Sequence, residues 1–192
     1  DGARFSFQKI SGVTKYKFNN IENLKKIINK NKRNIYAIFI EPFSCSTLTE
    51  TNKKFLLEAR KLCDQNKILM VFDEIYSGFG KCGYDFYFNK YGVKPDIITL
   101  SKSLGGGKSS ISAYVTTKDV FVKSYGSLAG SLLHSTTYNS LAEECATVIE
   151  TTKLMNDKKL TKNLSELEIA IKKKLNNLRL KYPQIISEVR GA

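Results

Sequence analysis

The chain has 192 residues, 42% hydrophobic and 11% aromatic, enough for one sizeable domain or for one domain with a piece of another. That composition excludes a chain disordered throughout, and the longest apolar stretches, 37–40 and 68–72, fall far short of the roughly 20 residues a membrane-spanning helix needs. Lysine and arginine total 31 against 18 acidic residues, a net charge of +13; yet only Arg4, Arg33, Arg60, Arg179 and Arg190 can make planar, bidentate phosphate or base contacts, which argues against a nucleic-acid binder.

The opening, Asp1-Gly2-Ala3-Arg4, leads into a mixed polar segment rather than an apolar leader. Cys45, Cys63, Cys82 and Cys145 have neither CxxC nor zinc-ribbon spacing, and His134 is the lone histidine. These features set the expectations of reduced cysteines, no metal site and a cytoplasmic protein without a membrane partner. His134 on its own reads as structural rather than catalytic.

In chain order, Phe5–Ile10 alternates loosely and reads as a strand. From Asn20 to Ile28 the apolar positions Ile21, Leu24, Ile27 and Ile28 recur at helical spacing, with Asn19 or Asn20 as cap. Ile35–Ile40 is a continuous apolar run, expected to be a strand buried on both faces, ending at Glu41-Pro42. A second helix is expected from Thr49 to about Gln65, with Phe55, Leu56, Ala59, Leu62 and Cys63 on one face. Ile68–Phe72 and Ile97–Leu100 are further strands, ending at Asp73-Glu74 and Ser101-Lys102. Ile111–Val115 is another strand candidate. Helices are expected over Leu141–Met155 and Leu160–Leu180, then the opening of a strand at Ile185–Val189.

Strands alternating with helices argue for an α/β fold with a mainly parallel sheet. Ligands of such sheets gather at the carboxyl ends of strands. Here three apolar runs end in Glu41, Asp73-Glu74 and Ser101-Lys102. Charge at a strand end serves solvation as readily as chemistry, and Gly105-Gly106-Gly107 reads equally as a turn or as a phosphate-binding nest. It is neither GxGxxG nor a P-loop.

The block Met70-Val71-Phe72-Asp73-Glu74-Ile75-Tyr76-Ser77-Gly78-Phe79-Gly80 resembles the class III aminotransferases, pyridoxal-phosphate enzymes of fold type I. The likeness continues from Tyr91 through Gly107, and includes His134-Ser135-Thr136-Thr137-Tyr138 and Glu188-Val189-Arg190-Gly191-Ala192. It implies a three-layer α/β/α large domain. Residues 1–140 would form part of that cofactor-binding domain, and 141–192 the linking helices and the start of a truncated C-terminal small domain. The implied activity is transfer of an amino group between an amine or amino acid and a keto acid or aldehyde.

The resemblance also implies roles for individual residues. Asp73 would keep the cofactor's pyridine nitrogen protonated, and Lys102 would hold the cofactor as a Schiff base and then move the proton. Ile75 would pack on a ring face. Tyr76 stands where many relatives have Gln, and would bond the ring oxygen or face the substrate. Thr137 would reach the cofactor phosphate of a neighbouring subunit, which implies a homodimer. Glu41 is a candidate substrate contact.

Two departures stand out. After Glu41-Pro42, ornithine- and 4-aminobutyrate-type relatives carry a glycine-rich run with a glutamate. Here the run is Phe43-Ser44-Cys45-Ser46-Thr47-Leu48, with Ser46 at about that glutamate. A different amino donor or acceptor is expected. The upstream phosphate loop and the downstream carboxylate-binding arginine of relatives are not in this sequence, so these 192 residues alone are expected to be inactive and to expose apolar surface. The alternatives are a decarboxylase or racemase on the same scaffold, or a non-catalytic module keeping the fold as an interaction surface.

Overall fold

A computed structural model describes residues 11–31 and 34–191. Its elements in chain order are α1 (Ile21–Lys30), β1 (Ala37–Ile40), β2 (Phe43–Ser44), β3 (Thr49–Glu50), α2 (Lys53–Asn66), β4 (Leu69–Asp73), β5 (Ile97–Leu100), β6 (Ala113–Thr116), α3 (Lys118–Tyr125), α4 (Ala142–Met155) and α5 (Lys158–Lys181). The strand expected at Phe5–Ile10 lies outside the described residues.

The main sheet runs β1-β4-β5-β6. The first three strands are parallel, paired Phe39 to Val71, Ile40 to Phe72 and Asp73 to Thr99. β6 returns antiparallel to β5. The sheet is therefore mainly parallel within an α/β fold, as expected.

α1 and α2 cover one sheet face. Asn20 caps α1 by accepting the Asn23 N–H at 2.9 Å, and Leu24 and Ile28 are buried one turn apart. α2 presents Phe55, Leu56, Ala59 and Cys63 inward. They meet Ile38, Ile40, Met70 and Phe72 from the strands in one core. Burying a side chain such as Phe72 contributes about 1.5–3 kcal/mol.

Several expectations change. α2 starts at Lys53, not Thr49; Asn52 is the cap, accepting the Phe55 N–H at 2.7 Å. Thr49 instead pairs with Ser44 in a short antiparallel hairpin. β1 is buried on one face only, and Phe39 is 64% exposed. β4 is buried on both faces at Met70, Val71 and Phe72. Ile185–Val189 forms no strand. Ile185 is exposed, and the Ile185 and Ile186 N–H groups turn back to Tyr182 O at 3.1 and 2.9 Å, which closes a turn in place of a strand. α3, capped by Thr117, was not expected.

Two side chains brace the frame. Asp96 Oδ2 accepts from Met70 N at 2.7 Å and from Arg60 Nη1 at 2.8 Å. Glu50 Oε2 accepts from Tyr87 Oη at 2.5 Å, Lys90 Nζ at 2.5 Å and Tyr91 Oη at 2.6 Å. Burial alone would raise the Glu50 pKa, but the three donors outweigh it and lower it to about 2.

The chain exposes 14155 Å², against about 9,200 Å² for a self-contained globular protein of its mass. Tyr36, Phe39, Leu128, Leu132, Leu133 and Tyr138 are exposed apolar contributors. The expected open apolar surface is present.

Candidate functional site

The carboxyl ends of β4 and β5 lie side by side. Glu74 N donates to Thr99 O at 3.1 Å just beyond the Asp73–Thr99 pair. No α-helix follows Asp73. Its Oδ1 instead accepts the Ile75 N–H at 3.0 Å, an Asx-type turn that fixes the carboxylate. Paired residues of neighbouring strands share a sheet face, so Asp73 and Thr99 stand on the same face. Thr99 Oγ1 is buried there with no partner among the described residues.

Glu74 points the other way and is buried. Oε2 accepts from Ser77 Oγ at 2.5 Å and Tyr87 N at 3.1 Å, and Oε1 from Phe88 N at 2.8 Å. Burial raises its pKa, opposed by those bonds. One carboxylate thus ties the turn carrying Ile75 and Tyr76 to the 87–88 segment.

Lys102 opens the 3-10 turn that follows β5 and has φ +48°. A left-handed lysine is strained, and such strain gathers at functional sites. Among the described residues its Nζ has no hydrogen-bond or carboxylate partner. It lies 5.5 Å from the centre of the Tyr76 ring. That ring is stacked on Phe43 at 6.3 Å, and Phe43 meets Tyr87 edge-on at 5.5 Å. Lys81 Nζ lies 4.9 Å from the same ring.

The structure therefore brings Asp73, Ile75, Tyr76 and Lys102 together. Glu41 ends the neighbouring β1, but its Oε2 folds back to accept the Cys45 N–H at 2.8 Å; it shapes the 42–48 loop. Ser44 and Ser46 oxygens lie 3.3 Å apart in that loop. Thr137 is exposed and makes no contact with Asp73 or Lys102 among the described residues; its segment touches the sheet through His134 against Tyr114, ring centres 5.6 Å apart. The glycine run acts as a turn packed on α4: a Cβ on Gly106 would lie 2.6 Å from Thr151 Oγ1. The Gly106, Lys108 and Ser109 amides donate to nearby carbonyls, which disfavours the nest reading. Sequence reasoning missed Lys81, the orphaned Thr99 hydroxyl and the aromatic stack; no sequence spacing signals them.

Residues 5–192 match the family model described as aminotransferase class-III. The chain belongs to that family. It is 31% identical over 183 residues to the acetylornithine/succinyldiaminopimelate aminotransferase of Buchnera aphidicola subsp. Acyrthosiphon pisum, covering 95% of this chain and 43% of the relative. It is 33% identical over 192 residues to the acetylornithine aminotransferase of Clostridium acetobutylicum, covering 97% and 46%. The chain thus spans less than half the length of the curated relatives it matches. The solved ornithine δ-aminotransferase of Plasmodium falciparum superposes with a TM-score of 0.76 at 26% identity, over 92% of this chain and 43% of that one. The Plasmodium yoelii ornithine aminotransferase, TM-score 0.73 at 24% identity over 86% and 42%, shares the fold.

Class III aminotransferases typically use pyridoxal phosphate. The residues present fit that group. Among the described residues, Asp73 keeps one carboxylate oxygen outside its turn bond, Thr99 offers an unpartnered buried hydroxyl on the same face, and the Lys102 Nζ has an aromatic face and no polar group beside it. Among the described residues, no helix is long and apolar enough to cross a membrane.

Proposed function

We propose that this chain carries the cofactor-holding half of a pyridoxal-phosphate-dependent aminotransferase site. When bound, the cofactor supplies an electron sink for amino-group transfer between an amine or amino acid and a keto acid or aldehyde. The observation that carries the reading is the strained Lys102, its Nζ without a polar partner among the described residues, at the strand end beside Asp73.

Lys102 would hold the cofactor covalently and, once released, would move the proton at the substrate carbon. Asp73 would hold the proton of the pyridine nitrogen by charge pairing. Ile75 would pack against the ring, and Tyr76 would serve the substrate side. Thr137 serves the phosphate of a neighbouring subunit, so the working unit is a homodimer with sites at its interface. Residues 1–140 belong to the cofactor-binding large domain, and 141–192 link it to the small domain.

Glu41 acts on the substrate side through the loop it holds. That loop places the Ser46 hydroxyl at about the position where ornithine-type relatives have a glutamate, with the Ser44 oxygen 3.3 Å from it. A donor other than ornithine or 4-aminobutyrate is therefore expected, acetylornithine among the candidates. Brisk conversion of the cofactor to its amine form by ornithine or 4-aminobutyrate would sink that part.

The central test adds pyridoxal phosphate to the full polypeptide carrying this sequence, reduces with borohydride and maps the product by mass spectrometry. Label on Lys102 is expected. A folded polypeptide with no labelled lysine would overturn the reading in favour of a non-catalytic module.

A further inference from the structure

Lys102 is steered from two ends. Its backbone is held at φ +48°, and its Nζ meets an aromatic face. The Tyr76 ring is backed by Phe43, almost fully buried, and through it by the buried Tyr87. The turn beneath the ring is pinned by buried Glu74. The ring is thus a fixed platform rather than a swinging side chain. The Tyr76 hydroxyl has no hydrogen-bond partner among the described residues, so geometry assigns the work to the ring face. A second lysine, Lys81, sits closer to that ring than Lys102 does, 4.9 Å against 5.5 Å.

We propose that Tyr76 is a positioning residue for Lys102, with its ring holding Nζ near the Asp73 strand end, and that Lys81 competes for the same ring and so sets how readily Lys102 leaves it. The proposal rests on the reading of Lys102 given above and adds to it the ring and the rival cation. A cation held by a ring face must leave it before the amine can attack an electrophile. Two cations drawn to one ring compete for its negative charge and repel each other, so removing Lys81 tightens the hold on Lys102. Removing the ring frees Lys102. An exposed contact of this type is worth a factor of about 2–5.

The test uses the cofactor-free full polypeptide and measures acetylation of Lys102 by limiting acetic anhydride at fixed pH, quantified by mass spectrometry against a surface lysine such as Lys61. Tyr76→Leu is expected to raise Lys102 acetylation about 2–5-fold. Tyr76→Phe, which keeps the ring, is expected to match the parent. Lys81→Gln, an exposed change that does not threaten folding, is expected to lower it. A merely structural Tyr76 would not produce the opposite shifts of Tyr76→Leu and Lys81→Gln. The proposal is overturned if Lys81→Gln leaves Lys102 unchanged, or if Tyr76→Phe behaves as Tyr76→Leu does. Because no cofactor is added, these outcomes are independent of the borohydride experiment: loss of trapping on Lys102 sinks the functional reading, and loss of the labelling contrast sinks this one.

Discussion

Gly78 offers a sharp test of how the site is held. Its N–H donates to Glu74 O at 2.9 Å, closing the turn that carries Ile75 and Tyr76. A Cβ added there would lie 2.8 Å from that same backbone oxygen, with Glu74 Cβ and Phe86 Cδ1 each at 3.4 Å. Backbone oxygen cannot rotate away, so the turn must open. Overpacking of this kind costs about 1–3 kcal/mol, and weakening the turn hydrogen bond adds about 0.5–1.5 kcal/mol. The stiffer unfolded chain returns only about 0.4–1 kcal/mol. The net for Gly78→Ala is a loss of about 0.5–4 kcal/mol, centred on about 2 kcal/mol. Gly92 is the control: it has φ +68° and nothing within 4 Å of an added Cβ. Gly92→Ala pays the left-handed backbone alone, about 1–2 kcal/mol before the same return. Urea unfolding of the full polypeptide, followed by circular dichroism, compares the two. Borohydride trapping on Lys102 supplies the second readout, expected to fall in Gly78→Ala and to hold in Gly92→Ala. Equal costs for the two variants, or a Gly78→Ala midpoint equal to that of the parent, would refute the steric argument.

Two other expectations are simpler to check. The Glu50 pKa is lowered in the folded state to about 2, so its stabilisation is fully present above its ordinary value near 4.5 and is lost as pH falls toward 2. Urea midpoints measured between pH 6 and 2.5 should fall less steeply in Glu50→Gln than in the parent; parallel curves would count against the three-donor cluster. Burial pushes the Cys63 thiol up to about 12 and the Cys82 thiol up to about 11, whereas Cys45 is exposed. A thiol reagent at pH 8 should modify Cys45 in the folded protein and reach Cys63 and Cys82 only after denaturant is added; rapid labelling of Cys63 in the native state would contradict the packing of α2.

Much of the frame was legible because burial imprints periodicity. Leu24 and Ile28 mark a helix face, and Met70-Val71-Phe72 a strand covered on both sides. Asp73 and Lys102 were legible because each closes an apolar run, Asp73 directly and Lys102 one residue on, inside a family motif. The β2–β3 hairpin was not, since Phe43-Ser44 and Thr49-Glu50 are too short to show alternation and are held by tertiary contacts at Tyr87 and Tyr91. Phe39 misled because a continuous apolar run looks the same whether one face or two are covered. The Tyr76 platform was invisible because cation-to-ring contacts join residues 76, 81 and 102 through the fold, not through spacing.

Asp96 lies at the opposite end of the sheet from Lys102. Its carboxylate holds β4 and α2, and its carbonyl accepts from Thr116 Oγ1 at 3.0 Å and Thr117 N at 3.2 Å, at the end of β6. Strand alignment is thus locked at the rim remote from Asp73 and Lys102. The loop segments at the other rim that carry neither Glu50 nor Lys102, 45–48 and 108–112, are released from the task of keeping the strands in step. They can be lengthened, shortened or rewritten without sliding Asp73 past Thr99. A sheet anchored at its far end is a scaffold whose near-rim loops can drift in sequence while Lys102 and Asp73 keep their mutual address.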